Sequence, residues 1–85
     1  ERIKPKTMTK SALVLVANGS EEIETITVVD VLRRAGISVT LASVTDSTEV
    51  ECSRKVKVVA DAILSTLPTG DFDVLALPGG LAGAR

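Results

Sequence analysis

Residues 11–17 (SALVLVA) form a short apolar run, unbroken from Ala12 to Ala17, set between Lys10 and Asn18-Gly19. A short run bounded in this way predicts a strand buried on both faces. Asn18-Gly19-Ser20 is turn chemistry and offers side chains for capping a helix. Glu21, Glu22 and Glu24 come next, and acids suit the positive end of a helix dipole. Apolar side chains then fall at Ile23, Ile26, Val29, Leu32 and Ala35, with Val28 and Val31 widening the stripe. The β-branched residues within 25–29 favour strand locally. The acidic start, Arg33-Arg34 in the last turn and Gly36 at the C′ position decide for a helix over 21–35. Residues 37–43 (ISVTLAS) alternate as a second strand.

Residues 11–43 therefore read as one βαβ unit, with parallel strands and a right-handed crossover. Residues 44–49 are polar and loop-like. Residues 50–53 and 56–59 predict two short strands, and 60–67 a short helix stopped by Pro68. Thr69-Gly70-Asp71 predicts a turn. Residues 72–77 (FDVLAL) predict another buried strand, ending at Pro78-Gly79-Gly80. The fold class is α/β with a mostly parallel sheet. A strand followed by a glycine turn should lead into a helix, and none follows before Arg85. The expectation is an unfinished sheet. Residues 1–10 are then a tail or extension, and 11–85 the N-terminal half of a single larger domain, whose end at Arg85 suits a trypsin-like cut.

Composition sharpens this picture. Of 85 residues, 45% are apolar and 25% charged, with a net charge of −1, which excludes disorder by composition. Phe72 is the one aromatic residue. A core of Val, Ile, Leu and Ala alone poorly suits an independent domain of this size but is normal for part of a larger parallel sheet. The single cysteine, Cys52, excludes an internal disulfide, and the lack of His excludes a Cys/His zinc site. No apolar run is long enough to span a membrane, and no signal-peptide pattern is present. A free cysteine without a secretory signal implies the cytoplasm or another reducing intracellular compartment. Residues 1–10 carry four bases and one acid, too few to argue for nucleic-acid or membrane binding.

Open parallel sheets bind ligands beyond the carboxyl ends of their strands. The segment 18–24 and Pro78-Gly79-Gly80 both map there, and they line one crevice if their strands are neighbours. Glu24 lies near the apolar stripe. It is either an exposed helix carboxylate or a buried carboxyl that keeps its proton and acts as a general acid. Glu21 and Glu22 read as solvated first-turn residues. Gly79-Gly80 is either a sharp exit from a strand or a pair whose backbone N–H groups form an oxyanion site. Cys52 is either a half-buried structural thiol or a redox-responsive one activated by Arg54 and Lys55. Asp30, Arg33, Arg34 and Arg54 are candidates for salt bridges within the chain or across an interface.

The segments ALVLVA (12–17), GSEEIET (19–25), DVLRRAGI (30–37), VECSR (50–54) and DVLALPGG (73–80), in this order, resemble the DJ-1/ThiJ/PfpI superfamily. The similarity is greatest to its DJ-1 branch and runs from about Lys10 to Arg85. The resemblance implies a flavodoxin-like three-layer sandwich, incomplete here, that needs a C-terminal half and is usually a homodimer. It implies that Glu24 is the acid beside the family's nucleophilic cysteine, with Gly79 and Gly80 lining the same pocket as oxyanion donors. Glu21, Asp30, Arg34, Cys52 and Arg54 would lie at or near the dimer interface, Cys52 as the secondary, less reactive cysteine. The nucleophilic Cys and its His would belong to a complementary C-terminal fragment. The implied activity is a glyoxalase or deglycase that acts on small aldehydes without cofactor or metal. The alternative is a redox-sensing, chaperone-like protein whose cysteine is oxidised to sulfinic acid.

Overall fold

The computed structural model describes residues 10–68, 70 and 72–78. The elements are β1 (Ser11–Val16), α1 (Glu22–Arg34), β2 (Ser38–Ser43), β3 (Glu49–Glu51), β4 (Lys57–Val59), β5 (Ala62–Ile63) and β6 (Val74–Ala76). Four strands form a parallel sheet in the order β5-β2-β1-β6, and β3 and β4 form a separate antiparallel pair. Ser11 of β1 lies opposite Ser38 of β2, and Ala12 lies opposite Val74 of β6. The chain moves from β1 to β2 on one side and later returns to β6 on the other. The point where strand order reverses is therefore the β1–β6 boundary.

The core lies between α1, one face of the sheet and the β3–β4 pair. Val14, Val16, Val29, Leu41, Val50, Cys52 and Ala60 make up its buried centre, and Val28, Leu32 and Ala76 pack against it. Each fully buried valine side chain contributes ~1.5–3 kcal/mol through loss of contact with water. The inward face of α1 carries Thr25, Val28, Val29 and Leu32, at the i, i+3, i+4, i+7 spacing of one helix face. Ile23, expected in the stripe, is 77% exposed, and Ile26, Val31 and Ala35 also face outward. Steps of three residues fall about 60° short of a full helical turn, so 23, 26, 29 and 32 spread over about half the circumference. Only the later members of that series reach the core.

α1 ends as expected. Ala35 is the cap, and Gly36 has φ +85°. The Gly36 N–H donates to Arg33 O, and the Ile37 N–H donates to Leu32 O. These two bonds define a Schellman motif, which glycine fits because it has no Cβ to clash. Arg33 then donates to the Asp61 carboxylate at 3.0 Å and to the Val39 carbonyl at 3.1 Å. Asp61 also accepts the Leu41 N–H, tying the end of the helix to β2.

Two expectations require correction. Residues 60–67 do not form a helix: Ala62–Ile63 add as β5 to the edge of β2, and only Leu64–Thr66 make a 3-10 turn. A short apolar run suits either structure, and an open strand edge captured this one. Pro68 still ends the segment by holding Leu67 extended, at φ −107° and ψ 144°. The strand within 72–77 forms but is not buried. β6 is an edge strand, and Leu75 is 60% exposed. On the sheet face opposite α1, Leu13, Leu15, Leu64, Phe72, Val74 and Leu75 line an apolar hollow of about 280 Å³. The expected turn at 69–71 and the glycine pair 79–80 lie outside the described residues, apart from Gly70.

Candidate functional site

β1 and β6 are parallel neighbours, so the segment after Val16 and the segment after Ala76 leave the sheet at the same end. This is the switch point of the fold, where open α/β sheets carry ligands. Gly79 and Gly80, which follow Pro78 in the sequence, lie outside the described residues.

The turn after β1 is built differently from its sequence reading. The Ser20 hydroxyl does not cap α1. It turns back to accept the Ala17 N–H at 3.0 Å, and Ser20 is buried. The Asn18 side-chain oxygen accepts the Glu51 N–H at 3.0 Å, and the Gly19 N–H donates to Glu51 O at 2.9 Å. Gly19 adopts φ +89° to make this approach. The cap residue of α1 is half-buried Glu21, whose side chain makes no capping bond.

Glu24 stands in the first turn of α1 and is exposed. Its neighbour Thr25 takes the inward position instead, and the buried Thr25 hydroxyl has no partner among the described residues. Asp30 lies a little under two turns, and Arg34 nearly three turns, further along α1, and they pair with each other at 2.9 Å, both exposed.

Glu22, read from sequence as a solvated acid, instead holds the turn between β3 and β4. One carboxylate oxygen accepts the Ser53 hydroxyl at 3.0 Å. The other accepts the Arg54 N–H at 2.7 Å and the Val56 N–H at 3.3 Å. Desolvation pulls the Glu22 carboxyl upward. Hydrogen bonds from its own backbone N–H, Val56, Arg54 and Ser53 outweigh that pull, so it lies below the ordinary glutamate range. No local signal in the sequence marks this role, because the contact joins the first turn of α1 to a turn more than 30 positions away.

Cys52, the first residue of that turn, is 3% exposed and belongs to the buried core cluster. Burial, and then the charge of Glu22, push its thiol up. Arg54 and Lys55 therefore do not activate it. Arg54 is exposed and offers Glu22 its backbone N–H, while Lys55 pairs with Glu51 at 4.0 Å. The structure thus joins Glu21, Glu22, Cys52 and Arg54 at one end of α1, and leaves Asp30 and Arg34 outside that group. No group of three or more His, Cys, Asp or Glu among the described residues is placed to hold a metal ion. No helix among them is long and apolar enough to cross a membrane.

A parallel α/β sheet with an acid-bearing turn at its switch point defines a class of small-molecule site. Comparison with known proteins makes the assignment specific: residues 10–85 match the model of the DJ-1/PfpI family, and the chain belongs to that family. It is 51% identical over 78 residues to the Drosophila melanogaster protein named dj-1beta, a match covering 92% of this chain and 42% of that protein. It is 41% identical over 73 residues to a Caenorhabditis elegans protein named glutathione-independent glyoxalase DJR-1.2, covering 84% of this chain and 38% of that one. The solved structure of oxidised Toxoplasma gondii DJ-1 superposes with a TM-score of 0.86 at 46% identity, covering 89% of this chain and 41% of that chain. The chain has the flavodoxin-like α/β fold of these proteins and spans about two-fifths of their length.

Proposed function

We propose that residues 11–85 are the N-terminal half of a DJ-1-like domain, and that the complete domain is a glyoxalase or deglycase for methylglyoxal-type aldehydes. The observation that carries this reading is the place of Glu24, in the first turn of α1 at the β1–β6 switch point. The resemblance to a relative named as a glutathione-independent glyoxalase supports it.

In this reading the C-terminal half supplies a cysteine thiolate and a histidine. The thiolate adds to the aldehyde carbon, a C–S bond forms, and the carbonyl oxygen takes up a proton to give a hemithioacetal. Glu24 carries protons between the two carbons as the adduct isomerises to a thioester. Water then cleaves the thioester, so the net change is addition of one water to yield a hydroxy acid, with no outside oxidant or reductant. Backbone N–H groups of Gly79 and Gly80 steady negative charge on oxygen. The apolar hollow over Leu13, Leu15 and Leu75 suits packing by the C-terminal half. Exposed Ile23, Ile26, Val56 and Val59 suit a homodimer contact near Glu21, Asp30, Arg34, Cys52 and Arg54.

The redox-sensing reading uses the same thiolate of the C-terminal half. Cys52, whose thiol is pushed up by burial, is not that group.

The test is Glu24→Gln in the complete protein. We expect methylglyoxal consumption to fall by ~100-fold or more, the scale of a lost general acid–base, with the fold unchanged by circular dichroism. Undiminished consumption would remove Glu24 from the mechanism.

A further inference from the structure

Asn18 is the only asparagine of the chain, which has no glutamine, and a glycine follows it. An Asn-Gly pair carries its own reactants: the side-chain amide carbon is an electrophile, and no Cβ on the glycine hinders approach of the next backbone nitrogen. Asn18 is exposed to solvent at the carboxyl end of β1. Four hydrogen bonds set its geometry. Ser20 N–H donates to Ala17 O at 3.0 Å, closing a turn over 17–20, and the Ser20 hydroxyl accepts the Ala17 N–H at 3.0 Å. Gly19 N–H donates to Glu51 O at 2.9 Å, and the Asn18 side-chain oxygen accepts the Glu51 N–H at 3.0 Å. With Gly19 at φ +89° the turn is of type II, a class in which ψ of the preceding residue is about +120°. That angle turns the Gly19 nitrogen away from the Asn18 side chain. The turn and the Glu51 backbone thus hold apart two groups that would otherwise react.

We propose that Asn18 is a site of intramolecular deamidation in the folded protein, at a rate set by loosening of the turn over 17–20. Rotation about the Asn18 Cα–C bond brings the Gly19 nitrogen to the side chain. That nitrogen loses its proton to solvent hydroxide and bonds Asn18 Cγ. The Cγ–Nδ2 bond breaks and ammonia leaves, giving a cyclic imide. Water opens the imide at either carbonyl, to aspartate or isoaspartate. The net change is amide plus water to acid plus ammonia, with no oxidant or reductant. Either product adds a negative charge next to Glu51, in a segment that already carries Glu21, Glu22 and Glu24. Isoaspartate also lengthens the backbone between β1 and α1 by one carbon, which separates the two groups that meet Glu51 together. The reaction requires water and a local opening of one turn, and leaves the pairing of β1 with β2 intact.

The experiment incubates the complete protein in mildly alkaline buffer, folded and in concentrated urea, and follows its tryptic peptide 11–33 by mass spectrometry. Asn18 is the only side-chain amide of that peptide, so the mass gain of amide-to-acid exchange has one source. We expect conversion in the folded protein, slower than in urea by about tenfold or more, because several hydrogen bonds must first be given up. Ser20→Ala removes the acceptor of the Ala17 N–H. It should speed conversion of the folded protein by about threefold to tenfold, the range of one hydrogen bond, while amide exchange at Val14 stays slow. Equal rates in the folded protein and in urea overturn control by the turn. So does a Ser20→Ala variant that converts at the wild-type rate with Val14 still protected. A folded protein still unmodified after many times the period that converts the unfolded chain overturns the site itself. The comparison of folded and unfolded wild type decides these points even if Ser20→Ala loosens the sheet.

Discussion

At the scale of single residues, the two neighbouring acids of α1 have exchanged the prominence that their sequence positions suggest. Glu24 is exposed, while half-buried Glu22 holds the turn between β3 and β4. Because the Glu22 carboxyl is lowered in the folded chain, its contribution to stability is present above the ordinary glutamate value. It is lost as pH falls through the lowered value. Denaturant midpoints of wild type and Glu22→Gln should therefore differ most near neutral pH and converge in acid. A gap that stays constant with pH would mean that the Glu22 charge does not stabilise the fold. Periodicity set Glu24 near the apolar stripe and Glu22 toward solvent, because it counted Ile23 and Ile26 as inward; both face outward, so the assignment is reversed. What separates the two acids is the approach of residues 53–56, a contact across more than 30 positions of sequence. Cys52 was legible as a structural thiol from its place in an apolar strand pattern. The direction in which its neighbours move it was not, because that depends on Glu22 rather than on the adjacent Arg54 and Lys55.

At the scale of elements, β1, α1 and β2 were readable because local signals agreed: an apolar run, an acidic helix start, a basic last turn and a glycine stop. Gly36 is the sharpest of these. A Cβ there would meet nothing within 4 Å, so the cost of a substitution comes from φ +85° alone. Gly36→Ala should lower stability by ~1–2 kcal/mol in denaturant melts, with Gly36→Asn recovering part of the loss. An alanine variant as stable as wild type would show that the Schellman stop does not constrain the chain. Residues 60–67 were misread because nothing local distinguishes a two-residue strand from a helical turn; the open edge of β2 decided it. The helix face was half right: Val29 and Leu32 are inward, while Ile23 and Ile26 are outward and Thr25 replaces them. An apolar residue facing outward looks the same in sequence as one facing the core.

At the scale of the whole molecule, α1 and the β3–β4 pair cover one face of the parallel sheet, and an apolar hollow lies on the other. The fold class was legible because one βαβ unit fixes parallel strands. The adjacency of β6 to β1, which places the candidate site, required the structure. The 78 residues matched to the Drosophila relative are 42% of it, so about 108 of its residues lie outside the match (78/0.42 − 78). On the reading proposed above, these 85 residues act only together with such a segment. A native mass spectrum of the protein as it occurs in its source tests this most directly. The expected result is the 8.9 kDa sequence accompanied by roughly 100 further residues, continuous with it or bound to it. A folded 8.9 kDa species that persists alone and consumes methylglyoxal would contradict it.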